Sequence, residues 1–252
     1  MTDKKNRSSR HKPHGLEILY EDRDLFVVEK APGVLTMATR REESFTAENA
    51  LNHYVRKGCA RSTKHVYLVH RLDRDTSGVL LFAKTEEIQQ RLKDNWQANE
   101  KLYLAVVQGA LAQQQGLFSS YLAEDDDLYM YSAGDSSLGK LSHTEYVVIK
   151  QANALSAIKI RLLTGRKNQI RVHFAEAGHP IAGDVKYGRS GTGYERLFLH
   201  AKSIAFNHPY SGRRLCFETP IPKGFSSVMY GLTEAQWQET TFGSSSEAAF
   251  LK

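Results

Sequence analysis

Apolar positions along this chain fall mainly into short blocks separated by turn residues. "LEILYE" (16–21) and "LFVVEK" (25–30) flank Asp22-Arg23-Asp24, which predicts two short strands joined by a turn. "VYLV" (66–69) and "VLLFA" (79–83) are continuous apolar runs of the length that buried strands have. "KLYLAVVQG" (101–109) predicts another strand. The second half adds "LYMYSA", "TEYVVIK", "SAIKIRLL", "FLHAKSIAF" and "RLCFET", with turn residues between them. Helical spacing is rarer. Ala47, Ala50, Leu51, Tyr54 and Val55 recur at helical intervals within 45–57, and Gly58 stands where a C-terminal cap belongs. Thr85 is placed as an N-cap, with Glu86 and Glu87 in the first turn and Ile88, Leu92 and Trp96 on one face. "NQIRVHFAEAG" is a third helix candidate, closed by Gly178. Asp125-Asp126-Asp127 reads as a solvated hairpin tip.

Mixed helices and strands, with neighbouring strands joined by short turns, predict an α+β fold with an extended, mostly antiparallel sheet. At 252 residues, 41% of them apolar, the chain can bury a sizeable core, and no repeat or long linker divides it. Residues 1–15 read as a disordered basic arm, 16–230 as the folded body, and 231–252 as a tail that packs loosely or frays.

Three further observations narrow the class. No apolar run approaches the roughly 18–20 residues that a membrane span needs, and no apolar stretch follows the basic N-terminus as a secretory signal requires. Cys59 and Cys216 are far apart and in no C-x-x-C spacing, which argues against a disulfide scaffold or zinc ribbon and fits a reducing, cytoplasmic setting. The ten histidines form no metal-ligand pattern, so no metal is expected. The net charge of +6 favours a polyanionic partner such as nucleic acid.

The densest stretch is "HRLDRDTSG" (70–78), set directly before an aliphatic run. A polar loop held between two buried strands is a suitable place for chemistry, because the scaffold fixes it while its side chains stay available. Arg71 and Arg74 flank Asp73, and a neighbouring arginine keeps a carboxylate ionised, ready to act as nucleophile or base. A structural turn with surface ion pairs fits the same residues. A metal-dependent phosphoryl-transfer enzyme with an aspartyl nucleophile is a third reading, but it wants βαβ alternation and more acids nearby. Farther along, "TGRKNQIRVHFAEAGHPIAGDVKYG" (164–188) sets Arg166, Lys167 and Arg171 around a helix N-terminus, which suits phosphate contact.

These stretches resemble a known family. "HRLDRDTSG" is similar to the H-R-L-D-x-x-T-S-G signature of the RluA-type RNA pseudouridine synthases. "GRKNQIRVH" with "GHPIAGDVKYG" resembles their second signature, "KLYLAVVQG" their K-x-Y-x-A strand, and "LFLHAKSIAFNHP" their later L-H-A strand. The matches keep the family's order over roughly residues 16–225. Two positions depart. Glu29-Lys30-Ala31-Pro32-Gly33 shifts the proline of the usual N/D-K-P-x-G loop by one, and Lys167-Asn168 replaces a Thr/Ser-His pair.

The resemblance implies the pseudouridine synthase fold with a central active-site cleft. It also implies isomerisation of uridine to pseudouridine in RNA, without cofactor, by a monomer. Asp73 matches the essential aspartate, Tyr103 the active-site tyrosine that stacks on the uracil, and Arg171 the arginine that pairs with the aspartate. Arg71, Arg166 and Lys167 are expected to contact RNA, Arg71 by filling the space of a flipped base. Thr76 and Ser77 are expected to support the loop, and Asp75, the weaker candidate, to be replaceable by Asn with much activity retained. Larger members carry a separate N-terminal RNA-binding module that is expected to be absent here. That points to stem-loops of transfer RNA, of 23S ribosomal RNA, or of both. A non-catalytic RNA-binding or remodelling protein on the same scaffold is the alternative.

Overall fold

The computed structural model describes residues 13–39, 45–57, 59, 61–188 and 193–243. Among these residues the order begins β1 (Leu16–Glu21), β2 (Leu25–Lys30), α1 (Ala47–Arg56), β3 (Tyr67–Leu68), β4 (Ser77–Ala83) and α2 (Glu86–Asp94). It continues β5 (Glu100–Gln108), β6 (Gln115–Glu124), β7 (Met130–Ala133), β8 (Lys140–Ala152), β9 (Leu155–Leu162) and α3 (Gln169–Glu176). It closes with β10 (Leu199–Asn207), β11 (Arg214–Glu218), α4 (Lys223–Val228) and α5 (Glu234–Glu239). The chain divides into two compact units, Met1–Asn99 with Ser203–Thr219, and Glu100–Lys202 with Pro220–Lys252.

In the first unit the strands run β1-β2-β4-β10, with β3 on β4 and β11 on β10. The β1–β2, β2–β4, β3–β4 and β10–β11 pairs are antiparallel. All seven residues of β4 are buried, which explains its unbroken apolar run. Leu25 and Val27 of β2 sit opposite Ala83 and Leu81 of β4, and these four pack with Ile88, Leu92 and Phe206. Burying each such large side chain stabilises by about 1.5–3 kcal/mol. Thr85 caps α2 as expected, accepting from the Ile88 N–H at 3.2 Å. At the end of α1 the left-handed residue is Lys57 (φ 49°), and Gly58 lies outside the described residues. The strand expected over 66–69 shrinks to two residues. Val69 N–H still reaches the Leu81 carbonyl, but at the next position the His70 ring takes over, its Nε2 accepting the Leu81 N–H at 3.1 Å.

In the second unit the order is β10-β5-β9-β8-β6-β7, with antiparallel β5–β9, β8–β9, β6–β8 and β6–β7 pairs. Asp125–Asp127 form the exposed tip between β6 and β7, as the sequence predicts. The α3 helix packs on β7 and β8. On β5, Leu104 and Val106 enter a core with Phe198, Phe225 and Trp237, while Lys101 and Tyr103 face the opposite side of the strand.

The strand β6, "QGLFSSYLAE", has no strand pattern in the sequence. Its Gly, Gln and serines have weak strand preference, and pairing to β7 and β8 on both sides supplies what propensity does not. The expected loose tail is not loose up to residue 243. Thr233 and Gln236 form a capping box that starts α5, and Trp237 is 1% exposed in the core. The ammonium of Lys159 stacks on the Trp237 ring at 4.4 Å and donates to the carbonyls of Trp237 and Thr240.

Candidate active site

Asp73 sits between β3 and β4, half-buried, in a loop whose backbone is fixed on both sides of it. Before it, Leu72 and the buried Thr36 exchange two hydrogen bonds. Leu72 N–H donates to Thr36 Oγ1 (3.1 Å), and Thr36 Oγ1 donates to the Leu72 carbonyl (2.7 Å). After it, the Arg74 carbonyl accepts from Gly33 N–H (2.9 Å) and from the ammonium of Lys30 (2.9 Å). Lys30 is 0% exposed and also donates to the carbonyls of Ala31 (3.0 Å) and Val34 (2.7 Å). The Asp73 carbonyl itself accepts from Thr76 N–H at 3.2 Å. The Glu29-Lys30-Ala31-Pro32-Gly33 stretch therefore buttresses the loop from beneath despite its shifted proline. Its charge is tolerated in the core because carbonyl oxygens surround it.

Other loop residues divide by exposure. Thr76 and Ser77 are buried at the start of β4, and Arg71 is exposed. His70 stacks on Trp96 with ring centroids 4.6 Å apart. Asp75 pairs at the surface with Arg74, Nε to Oδ1 at 3.2 Å. The two aspartates are thus distinct, one set at the braced point of the loop and one in a solvated ion pair.

The second unit holds the remaining expected residues. Tyr103 is buried in β5 opposite Ile160. Lys101, on the same face two residues earlier, is also buried, and burial pushes its pKa down to about 8. Arg171 lies on α3 and makes a bidentate pair with Asp184, Nε to Oδ2 at 2.7 Å and Nη2 to Oδ1 at 2.8 Å. Burial works against the Asp184 charge, but the Arg171 guanidinium and the N–H groups of Tyr187 and Lys186 outweigh it. They hold the carboxyl below its usual range. The Arg171 guanidinium also lies over the Tyr187 ring at 5.2 Å.

The start of α3 is fixed by Gln169 rather than by a conventional N-cap. Asn168 is left-handed (φ 51°) and makes no capping bond. Gln169 Oε1 accepts from Arg166 N–H (3.0 Å) and Thr164 Oγ1 (2.9 Å), while its Nε2 donates to the His143 carbonyl and to Thr144 Oγ1. One turn on, His173 bonds Thr144 through Nδ1 and Ser120 through Nε2, and burial pushes its pKa down to about 4. Arg166 is exposed ahead of the helix. Lys167 is engaged with the Glu124 carboxylate and with the Leu128 carbonyl at 3.3 Å.

The structure thus places Asp73, Arg71 and Thr76 on one loop of the first unit, with Ser77 opening β4. Arg166, Lys167 and Arg171 fall around the start of α3 in the second, with Tyr103 on β5. Thr36, Gln169 and Asp184 carry structural roles that the sequence does not assign, although Gln169 and Asp184 lie within the second signature. Lys30, marked in the sequence only within the shifted-proline loop, proves to be its buried cation.

Comparison with known proteins decides what this scaffold is. The family model for RNA pseudouridylate synthase matches residues 24–176, more than half of the chain. The uncharacterized RNA pseudouridine synthase YjbO of Bacillus subtilis is 33% identical over 223 residues, covering 87% of this chain and 77% of that protein. Ribosomal large subunit pseudouridine synthase D of Xylella fastidiosa is 33% identical over 235 residues, covering 87% and 70%. The chain belongs to the RluA-type family of RNA pseudouridine synthases. The synthase fold is seen in the solved structure of human RNA pseudouridylate synthase domain containing 4, with TM-score 0.69, 21% identity, and 82% of this chain and 89% of that one covered. Human RNA pseudouridylate synthase domain containing 1 gives TM-score 0.67 at 26% identity, covering 81% and 83%. As a family member this synthase is an isomerase acting on RNA. No helix among its described residues is long and apolar enough to cross a membrane.

Proposed function

We propose that this synthase converts a uridine in a stem-loop of transfer RNA, of large-subunit ribosomal RNA, or of both, with Asp73 as the reacting carboxylate. The reading is carried by the bracing of Asp73. Its backbone is tied on both sides, through Leu72 to Thr36 and through Arg74 to Lys30 and Gly33, so the backbone that carries the carboxylate has little freedom to wander.

The chemistry needs no outside reactant. The bond from C1′ to N1 of the uracil breaks, the base turns, and C5 bonds to C1′. The hydrogen on C5 leaves and N1 gains one, so the product is an isomer of the substrate. In this scheme Asp73 engages the nucleoside, and Arg171, oriented by Asp184, is the arginine that the family resemblance assigns to keeping a catalytic carboxylate ionised. Tyr103 stacks on the uracil. The target base leaves its stack to reach the loop, and Arg71 occupies the gap. Arg166 contacts phosphate, and Lys167 joins it by leaving Glu124.

The substrate class is tested by incubating unmodified transfer RNA and large-subunit ribosomal RNA transcripts with the protein, then mapping pseudouridine by carbodiimide adducts that stop reverse transcription. New stops in a stem-loop of either RNA support the reading. No new stops in either RNA, or new stops only outside stem-loops, overturn the substrate assignment.

A further inference from the structure

Between Glu48 and Asp73 the chain has no acidic residue but carries Arg56, Lys57, Arg61, Lys64 and Arg71. Three of these cations fall in the segment linking α1 to β3, and Arg56 ends α1 itself. Lys57, Arg61 and Lys64 are exposed.

Described residues of this segment are tied to the fold. Cys59 N–H donates to the Arg56 carbonyl (2.8 Å) and Ser62 N–H to the Cys59 carbonyl (3.0 Å). Arg56 Nε donates to the Lys64 carbonyl at 3.0 Å, and Asn52 Oδ1 accepts from Val66 N–H at 2.8 Å, tying the far end back to the helix. Two acids of the same unit, Glu48 and Glu21, have partners of their own. Glu48 faces His65 at 3.9 Å, and Glu21 bonds Lys84 and the Tyr54 hydroxyl. Arg56 and Lys57 also suit a helix C-terminus, but Arg61 and Lys64 lie beyond reach of that effect.

Its place in the first unit gives it a distance from Asp73. The α1 helix begins beside the loop support, with Ala47 and Glu48 N–H donating to the carbonyls of Leu35 and Thr36. Its ten residues carry the chain about 15 Å away. Independently, Tyr67 pairs with Ala83, at the end of β4 opposite the Asp73 loop. The seven residues of β4 make that separation about 20 Å.

We propose that the α1–β3 segment, through Lys57, Arg61 and Lys64, is a second RNA-docking surface that grips backbone phosphates of the helix flanking the target loop. The inference rests on the reading of Asp73 as the reacting group, since that sets where the target loop lies. A cationic surface at this distance meets phosphates a stem away from the uridine, contributes affinity without base recognition, and releases counterions.

The test compares two variants of the full protein. One is K57Q/R61Q/K64Q. The control, K93Q/R213Q/R214Q, removes the same charge from exposed positions of the same unit. The probes are an RNA stem-loop with a stem of about 16 base pairs and the same loop on a stem of a few base pairs. Binding is followed across a range of salt concentrations. The proposal expects K57Q/R61Q/K64Q to weaken long-stem binding about tenfold and to reduce its log–log salt slope by about 2–3. The control and the short stem should each change less than about twofold. No loss on the long stem, equal loss on both stems, or equal loss in the control overturns it. Because the readout is binding, failure of the synthase chemistry is scored separately, by absence of turnover in the parent protein.

Discussion

Arg171 and Asp184 form a closed bidentate pair, Nε to Oδ2 at 2.7 Å and Nη2 to Oδ1 at 2.8 Å, with the Asp184 side chain wholly buried. Breaking one side of such a pair leaves an uncompensated charge in the interior. Asp184→Asn is therefore expected to cost about 3–5 kcal/mol of stability at neutral pH. Because the folded Asp184 carboxyl is held below its usual value, its contribution is fully present above the unfolded pKa and lost as pH falls through the folded one. The gap between parent and Asp184→Asn should stay constant down to about pH 5 and narrow below about pH 4. Denaturant unfolding at a series of pH values measures this.

His173 makes the opposite kind of test. Its pKa is pushed by burial from 6.5 to about 4, so the folded state resists a proton that the unfolded state accepts. Stability should fall as pH drops from 6.5 toward about 4, by up to about 3 kcal/mol from this group. In His173→Gln that pH slope should flatten, by the contribution of this residue alone, since buried His200, pushed to about 3, adds its own. An unchanged slope would show that His173 titrates normally.

Lys30→Met keeps an apolar stem but leaves the carbonyls of Ala31, Val34 and Arg74 without the ammonium they share. A loss of about 3 kcal/mol in stability is expected. Turnover should fall about 100-fold at temperatures where the variant remains folded, because the backbone beside Asp73 loosens. Full turnover in a folded Lys30→Met protein would remove Lys30 from the bracing of the loop.

Trp237→Ala should cost about 3–5 kcal/mol, the usual loss for an aromatic removed from a core. It also takes away the ring under the Lys159 ammonium. A change below about 1 kcal/mol in thermal or denaturant unfolding would return the 231–243 stretch to the status of a loose tail.

What the sequence reveals follows from how local the cause is. The β2 and β4 strands are readable because their apolar residues are contiguous, and α2 because Thr85 and its acids mark the start. The Asp73 loop stands out because charge abuts an aliphatic run. The bracing of that loop is not readable, since Thr36 lies 36 residues from Leu72 and Lys30 lies 44 from Arg74, and their partners are backbone carbonyls that carry no sequence signature. β6 is hidden for a related reason, its pairing being decided by its neighbours. In α5 a lone Trp237 gives no periodicity, and only its docking against Lys159 and Phe225 shows it to be core.

The central claim is that Asp73, and not its neighbour Asp75, does the chemistry. The most direct measurement is tritium release from RNA labelled at C5 of uridine, comparing parent, Asp73→Asn and Asp75→Asn. Asp75 sits in an exposed ion pair worth under about 1 kcal/mol, so its replacement should leave folding and most of the release intact. Release by the parent and by Asp75→Asn, with none from Asp73→Asn although that variant still binds RNA, is the predicted result. Release that survives in Asp73→Asn, or that is lost equally in both variants, would contradict the account.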